Sequence, residues 1–144
     1  MRCPIARGLE HVGEWWSILI LRDALRGFSK FDEFQKRLGI APNMLTKRLN
    51  ALVDAGILEK RAYSERPVRY EYLLTAPGRD FLPVAVALYE WGHKHFPGGE
   101  RPTLLVHAAS GRRADPVLVD RRSGKRITAR EFGYVPNPAL PPKP

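Results

Sequence analysis

Asn43, Thr46, Lys47 and Asn50 recur at intervals of three and four residues, the spacing that brings side chains onto one face of a helix. Their chemistry is hydrogen bonding to a patterned edge. An asparagine can pair bidentately with adenine and a lysine with guanine, in a DNA major groove wide enough to admit a helix. These four are therefore candidates for base-edge contacts, with Arg48 flanking them and aimed at a phosphate. Leu45, Leu49, Leu52 and Val53 fall on the opposite side, giving the same helix an apolar face for a core. Asp54 would repel a nucleic-acid backbone, and belongs where the helix has left the groove. The wheel alone also describes an ordinary amphipathic surface helix.

The elements that must hold this face supply the further argument. Pro4 opens a first helix that runs to about Val12, and Gly13 breaks it. A second helix spans about Glu14 to Arg26. Trp15, Ile18, Leu19, Leu21 and Leu25 make it apolar over most of its circumference, as expected of a buried central helix. Ser29 is placed to cap a short helix over 30–38, whose Phe31, Phe34 and Leu38 share a face. Gly39 stops it, Ile40-Ala41 turns the chain, and the polar-faced helix runs from Pro42 to about Ala55 with Gly56 as its stop. Ile57–Tyr63 and Val68–Leu74 are strand-like, joined by the tip Ser64-Glu65-Arg66-Pro67. Arg61, Arg66 and Arg69 lie on or beside that tip, where a wing meets phosphates or a minor groove. Helix, turn, polar-faced helix and basic hairpin in this order predict a mainly α fold with a small β wing, a winged helix-turn-helix.

Thr75 caps a further helix expected over 76–95, which Pro83 should kink or split. Its apolar stripe, Phe81, Leu82, Val84, Leu88 and Trp91, requires a partner surface. Phe96-Pro97-Gly98-Gly99 reads as a linker. Thr103–Val106 and Pro116–Val119 read as short strands of a C-terminal, hairpin-like extension over residues 97–135. Residues 136–144 form a Pro-rich end expected to be disordered. The domain expectation is thus 1–96, 97–135 and 136–144.

At these residues the chain resembles the HxlR family of bacterial transcriptional regulators, relatives of MarR. The carrying segments are CPIARGLEHVGEWWSILILRDAL, FSKFDEFQKRLGIAPNMLTKRLNALVDAGILEK and RPVRYEYLLTAPGRDFLPVAVALYEWG, covering residues 3 to about 92. The resemblance implies a repressor or activator working as a homodimer on double-stranded DNA. Its interface would join the first helix to the helix after the wing: Ile5, Leu9 and Val12 with Phe81, Leu82, Val84, Leu88 and Trp91. Two copies would place their recognition helices about one DNA turn apart and read a pseudo-palindromic site. Some relatives sense oxidants through a cysteine before the first helix, where Cys3 stands. Backbone amides at the helix start, with Arg2 and Arg7, would stabilise its thiolate.

The tail carries a repeat of its own. His107-Ala108-Ala109-Ser110-Gly111 is followed by Asp120-Arg121-Arg122-Ser123-Gly124. Relatives resembling a zinc ribbon carry cysteines at comparable places; here Ser110, Asp120 and Ser123 stand there, and serine is a poor zinc ligand. The expectation is a ribbon-like hairpin without metal, held by Leu104, Val106, Val117, Val119 and Ile127 packing together, or else a loosely ordered basic tail.

Composition bounds the remaining classes. The net charge of +9 favours a polyanionic partner, yet its distribution is uneven. Residues 1–100 hold 15 Lys+Arg against 12 Asp+Glu and residues 101–144 hold 9 against 3, so +6 of the +9 lies in the tail. One cysteine rules out an internal disulfide framework. No apolar run reaches the roughly 18–20 residues needed to span a bilayer, and no export signal is read, so a cytoplasmic protein is expected. There is no nucleophile elbow, glycine-rich phosphate loop or metal-ligand set, so neither an enzyme nor a cofactor is expected. No effector pocket can be read. The alternatives to a DNA-binding regulator are an interaction module that no longer touches DNA and a repressor switched through Cys3.

Overall fold

The computed structural model describes residues 3–99 and 101–139. Its elements run α1 (Pro4–Val12), α2 (Trp15–Leu25), α3 (Phe31–Leu38), α4 (Pro42–Asp54), β1 (Leu58–Glu65), β2 (Val68–Leu74), α5 (Ala76–Arg79) and α6 (Leu82–His95). Residues up to Tyr89 form one compact unit and those from Glu90 onward a second. No described helix is long and apolar enough to cross a membrane.

The core of the first unit is small and built mainly from α2, α3 and α4. Ile20 and Leu21 of α2, Phe34 of α3, and Leu45, Leu49 and Leu52 of α4 are 0% exposed, and Leu58 closes the set from β1. Each such side chain contributes about 1.5–3 kcal/mol by leaving water. Gly39 adopts the left-handed region at φ 63, which lets α3 end sharply and α4 start three residues later, at Pro42. Trp15, expected inside with the rest of α2, instead lies at 62% exposure. It belongs to the first turn of the helix, and its ring rests on Trp16 at 4.3 Å rather than on the core.

One carboxylate is buried in this unit. Asp23 of α2 is fully enclosed, and Arg22 Nε and Arg37 Nε each approach its oxygens to 3.0 Å. Arg26 stands at 3.6 Å, and both Arg26 and Arg37 lie over the ring of Phe28. Since Arg37 sits on α3, this cluster ties α2 to α3 through a buried charge and its surrounding guanidiniums.

The start of α3 differs from the expected cap. Lys30, not Ser29, is the residue before the helix, and Glu33 reaches back to accept the backbone N–H groups of Ser29 and Lys30, each at 3.0 Å. Ser29 is occupied elsewhere: its hydroxyl donates to Glu71 Oε2 at 3.2 Å, and its carbonyl accepts the Tyr72 N–H at 2.7 Å. These bonds, with the Lys30–Glu71 bridge, fasten β2 to the chain entering α3.

The wing is an antiparallel pair in which Leu58 faces Leu74 and Glu65 faces Val68, with a bulge between Ala62 and Ser64. β1 runs two residues farther than expected, so the tip contracts to Arg66-Pro67, and the Ser64 hydroxyl donates to the Pro67 carbonyl at 2.9 Å. Beyond the wing, Thr75 caps α5 by accepting the Gly78 N–H, while its own hydroxyl donates toward the Gly56 and Ile57 carbonyls. The single helix expected over 76–95 is split into α5 and α6 at Asp80-Phe81. Pro83 then occupies the second position of α6, where its missing N–H costs nothing.

The second unit holds no strands among its described residues, only the isolated bridges Val106–Arg113 and Val119–Arg126. The expected strands Thr103–Val106 and Pro116–Val119 do not pair with one another as a ladder. Each instead leads into a tight turn of its own. The expected apolar packing is also corrected: Leu104, Val106, Val117, Val119 and Ile127 are 40% to 50% exposed, so they form no enclosed core. Pro138-Ala139 makes a turn in which the Ala139 N–H donates to Asn137 Oδ1 at 3.0 Å. Residues 140–144 of the Pro-rich end, and Arg2, lie outside the described residues.

The Glu33 bonds predict a pH dependence. The N–H of Lys30 first, and that of Ser29 next, hold the Glu33 carboxyl below its ordinary value of 4.5. A carboxyl depressed in the folded state stabilises above its unfolded pKa and loses that contribution as pH falls through its folded pKa. Glu33→Ala should therefore lower the melting temperature at pH 7. The gap to the parent protein should close as pH is taken below 4.5, measured by thermal melts across pH 3–7.

Candidate nucleic-acid interface

α4 owes its orientation to the leucines. With Leu45, Leu49 and Leu52 buried, the side chains of Asn43, Thr46, Lys47 and Asn50 are all left exposed, on the face away from the core. Asp54 is also exposed, at the helix's last residue. No ion pair engages Lys47 among the described residues.

Arg48 departs from its expected role. Its side chain is only 15% exposed and lies 3.4 Å from Glu14, the residue that precedes α2. Its Nε is buried without a hydrogen-bond partner. One position from the exposed Lys47, the helix turn carries this arginine toward the body of the unit, where it braces α4 against the start of α2. The wheel placed Arg48 on the flank of the polar face and could not show which way so long a stem would lie.

On the wing, Arg61 pairs with Glu71 at 3.1 Å across the two strands, directly opposite in register. Arg66 sits at the tip and Arg69 one residue into the second strand's pairing; both are exposed. Two further cations, not expected from the sequence, lie against wing tyrosines. Lys30 Nζ lies 4.8 Å above the Tyr63 ring, and Lys60 Nζ 4.4 Å above the Tyr70 ring. Lys30, Phe31, Tyr63, Arg69, Tyr70 and Tyr72 line a cavity of about 320 Å³ between the wing and the start of α3. The alternation of tyrosines with charged residues in β1 and β2 was the available signal for Lys60. Lys30 required the contact between wing and α3.

The residues expected at an interface between copies fall into two groups. Ile5, Leu9, Leu82, Val84, Leu88 and Trp91 are 43% to 60% exposed, and neither α1 nor α6 buries a residue. Val12 and Phe81 are partly covered by the unit's own core. Cys3 precedes α1 and is exposed, its carbonyl accepting the Arg7 N–H at 3.0 Å.

The tail turns have satisfied their polar groups internally. His107 Nδ1 lies 3.0 Å from Ser110 Oγ. The Ser123 hydroxyl donates to Asp120 Oδ2 at 2.6 Å, with the Ser123 and Arg122 N–H groups adding to the same carboxylate. The hydroxyl of Ser123 is the first cause holding the Asp120 carboxyl below the usual carboxylate range. Two imidazole or carboxylate donors and two hydroxyls do not match the thiolate-rich set of a tetrahedral zinc site. Among the described residues no cluster of three or more His, Cys, Asp or Glu is arranged to hold a metal.

A short helix, a turn, a helix with its polar face outward and a fastened wing define a winged helix-turn-helix protein of the transcriptional-regulator class. The chain belongs to the HxlR-like helix-turn-helix family, whose profile matches residues 11–100. It is 40% identical over 140 residues to the uncharacterized HTH-type transcriptional regulator Rv3095 of Mycobacterium tuberculosis, covering 96% of this chain and 89% of that protein. The solved structure of PA1374, a candidate transcription factor from Pseudomonas aeruginosa, is 48% identical, with a TM-score of 0.65 over 96% of this chain and 95% of its own. That of PA1607, also a candidate transcription factor, is 36% identical with a TM-score of 0.84, covering 94% and 96%. These matches extend over the tail as well as the winged unit.

The inward turn of Arg48 gives a direct expectation. Arg48→Ala should lower the unfolding free energy by about 1 kcal/mol, through lost packing of its stem and a partly screened ion pair, whereas Asn50→Ala should stay within about 0.5 kcal/mol. Urea denaturation of the two variants beside the parent protein measures the difference.

Proposed function

We propose that this regulator binds a pseudo-palindromic site on double-stranded DNA as a homodimer, acting by binding rather than by catalysis. The observation that carries the reading is the state of α4. Three leucines are wholly buried on one side, and Asn43, Thr46, Lys47 and Asn50 are wholly presented on the other. In this reading α4 enters the major groove, those four side chains meet base edges, and Arg66 and Arg69 of the wing meet flanking phosphates or the minor groove. Arg61, already paired with Glu71, contributes less.

The dimer reading is supported by the apolar side chains that α1 and α6 leave in water. Ile5, Leu9, Leu82, Val84 and Leu88, with Trp91 on the next turn of α6, are too many for a solvated surface. Covering them with the same elements of a second copy removes that cost and gives the two-fold symmetry that a pseudo-palindrome requires.

Two measurements test these statements separately. In a gel shift on the duplex upstream of the protein's own gene, Lys47→Ala should weaken binding roughly tenfold to hundredfold with an unchanged melting temperature. Equal affinity for parent and variant would remove α4 from the groove. In sedimentation at micromolar concentration the parent protein should run as a dimer and Leu88→Glu as a monomer, since a carboxylate buried at an apolar interface has no partner there. A parent protein that sediments as a monomer would end the dimer reading.

A further inference from the structure

The two turns of the second unit are copies of one another down to their backbone hydrogen bonds. Gly111 and Gly124 close them at left-handed φ values of 68 and 70. Each glycine N–H donates at 2.8 Å to the residue that opens the turn, His107 or Asp120. Two further bonds repeat as well, Ala114 N–H to the Leu105 carbonyl at 2.8 Å and Ile127 N–H to the Leu118 carbonyl at 2.9 Å. The bridges Val106–Arg113 and Val119–Arg126 fall at the same step of each copy. The equivalence makes Arg112 match Lys125 and Arg113 match Arg126. Each turn therefore presents a pair of cations on its outgoing arm.

All four side chains are exposed, and none makes an ion pair among the described residues. The described acids of the unit are four, Glu90, Asp115, Asp120 and Glu131, and none of them forms an ion pair with these cations. Asp120 is consumed by its own turn, Glu90 is held in a two-pronged pair by Arg101 at 3.0 Å, and Asp115 lies with Arg113 on the wall of a polar cavity of about 210 Å³. The turn amides are also occupied: Arg112 and Lys125 donate their N–H groups to Ser110 and Ser123. An anion here would be met by long cationic side chains, not by a backbone nest. Two repeated cation pairs with no ion-pair partner among the described residues suit a ligand with a repeating negative charge. The phosphodiester backbone is that ligand.

We propose that the twin turns are a phosphate-backbone clamp, with Arg112, Arg113, Lys125 and Arg126 gripping the same duplex that α4 reads, without regard to its sequence. This rests on the DNA-binding reading of α4. Because the clamp is on the same chain, its contacts are made at the high effective concentration that tethering provides. Affinity and salt dependence then come largely from the second unit, and sequence preference from the first.

The test is fluorescence anisotropy of the full chain on two labelled duplexes, the upstream DNA and a scrambled sequence of equal length, over a series of NaCl concentrations. The charge-neutral variant R112Q/R113Q/K125Q/R126Q should bind both duplexes more weakly. Its log–log salt slope should fall by about 0.9 for each phosphate no longer neutralised, up to roughly 3.6 per chain, with the preference between the duplexes unchanged. The charge-keeping variant R112K/R113K/K125R/R126R should restore the slope. Lys47→Ala should do the reverse of the neutral variant, losing preference and keeping most of the slope. An unchanged slope in the neutral variant, with the parent protein binding normally, overturns the clamp and leaves the α4 reading standing. Failure of the charge-keeping variant to restore the slope overturns it too, by assigning the four residues a structural role. So does capture by phosphatidylserine vesicles that depends on the four residues while the DNA slope does not. A parent protein that binds neither duplex overturns both readings at once.

Discussion

Burial of Leu45, Leu49 and Leu52 against Ile20, Leu21 and Phe34 fixes how far α4 is rotated about its own axis, and nearly everything about the candidate interface follows from that angle. A helix advances about 100° per residue, so a core that accepts these leucines leaves one orientation for the residues between them. Asn43, Thr46, Lys47 and Asn50 are outward because the leucines are inward. Turning the helix by one position would expose a leucine and bury an asparagine or a lysine, at a cost of several kcal/mol on both counts. The outward polar face of α4 is thus specified by apolar packing on the far side of the helix, and its polar residues need no mutual contacts to hold it.

Polar groups do a second kind of work, which is to pin elements that share too little apolar surface. The buried Asp23 carboxylate, drawn on by Arg22 and Arg37, binds α2 to α3. Glu71 does the same for the wing, accepting from Ser29 at the start of α3 and from Arg61 across the hairpin. A two-stranded ribbon is marginal by itself in water. Attached at its base by the Ser29–Tyr72 backbone bond as well, it becomes a projection with a defined direction, able to hold Arg66 and Arg69 at its tip.

The second unit solves its stability problem differently. Its described residues enclose no core, and its turns are held by hydrogen bonds within each repeat: imidazole to hydroxyl in one, carboxylate to hydroxyl and amides in the other. These occupy the positions where a zinc ribbon would place thiolates. Serine at such a position cannot supply a thiolate, but it can lock the turn by bonding the residue three before it. The hydrogen bond closes the turn by itself, and among the described residues the cations of each outgoing arm make no ion pair.

The sequence by itself determined a great deal here. The apolar periodicity, the glycine stops and the prolines near helix starts located α1 to α4 to within a residue or two, and the alternation in 68–74 located the second strand, whereas the one helix expected over 76–95 is two. They also named Asn43, Thr46, Lys47 and Asn50 among the residues that α4 leaves exposed. These are local properties, and a face of a helix is legible wherever one side is strongly apolar. What the tertiary structure decided was the fate of long and polar side chains. Arg48 turned to Glu14, Arg61 was taken by Glu71, Ser29 left the helix cap to Glu33 and joined the wing, and Lys30 found Tyr63. It also decided that the tail's valines and leucines would stay in water while each repeat closed on itself. The reason is the same in every case: a flexible polar group goes to whichever partner the fold brings within reach, and that partner is set by distance in space, which spacing along the chain does not encode.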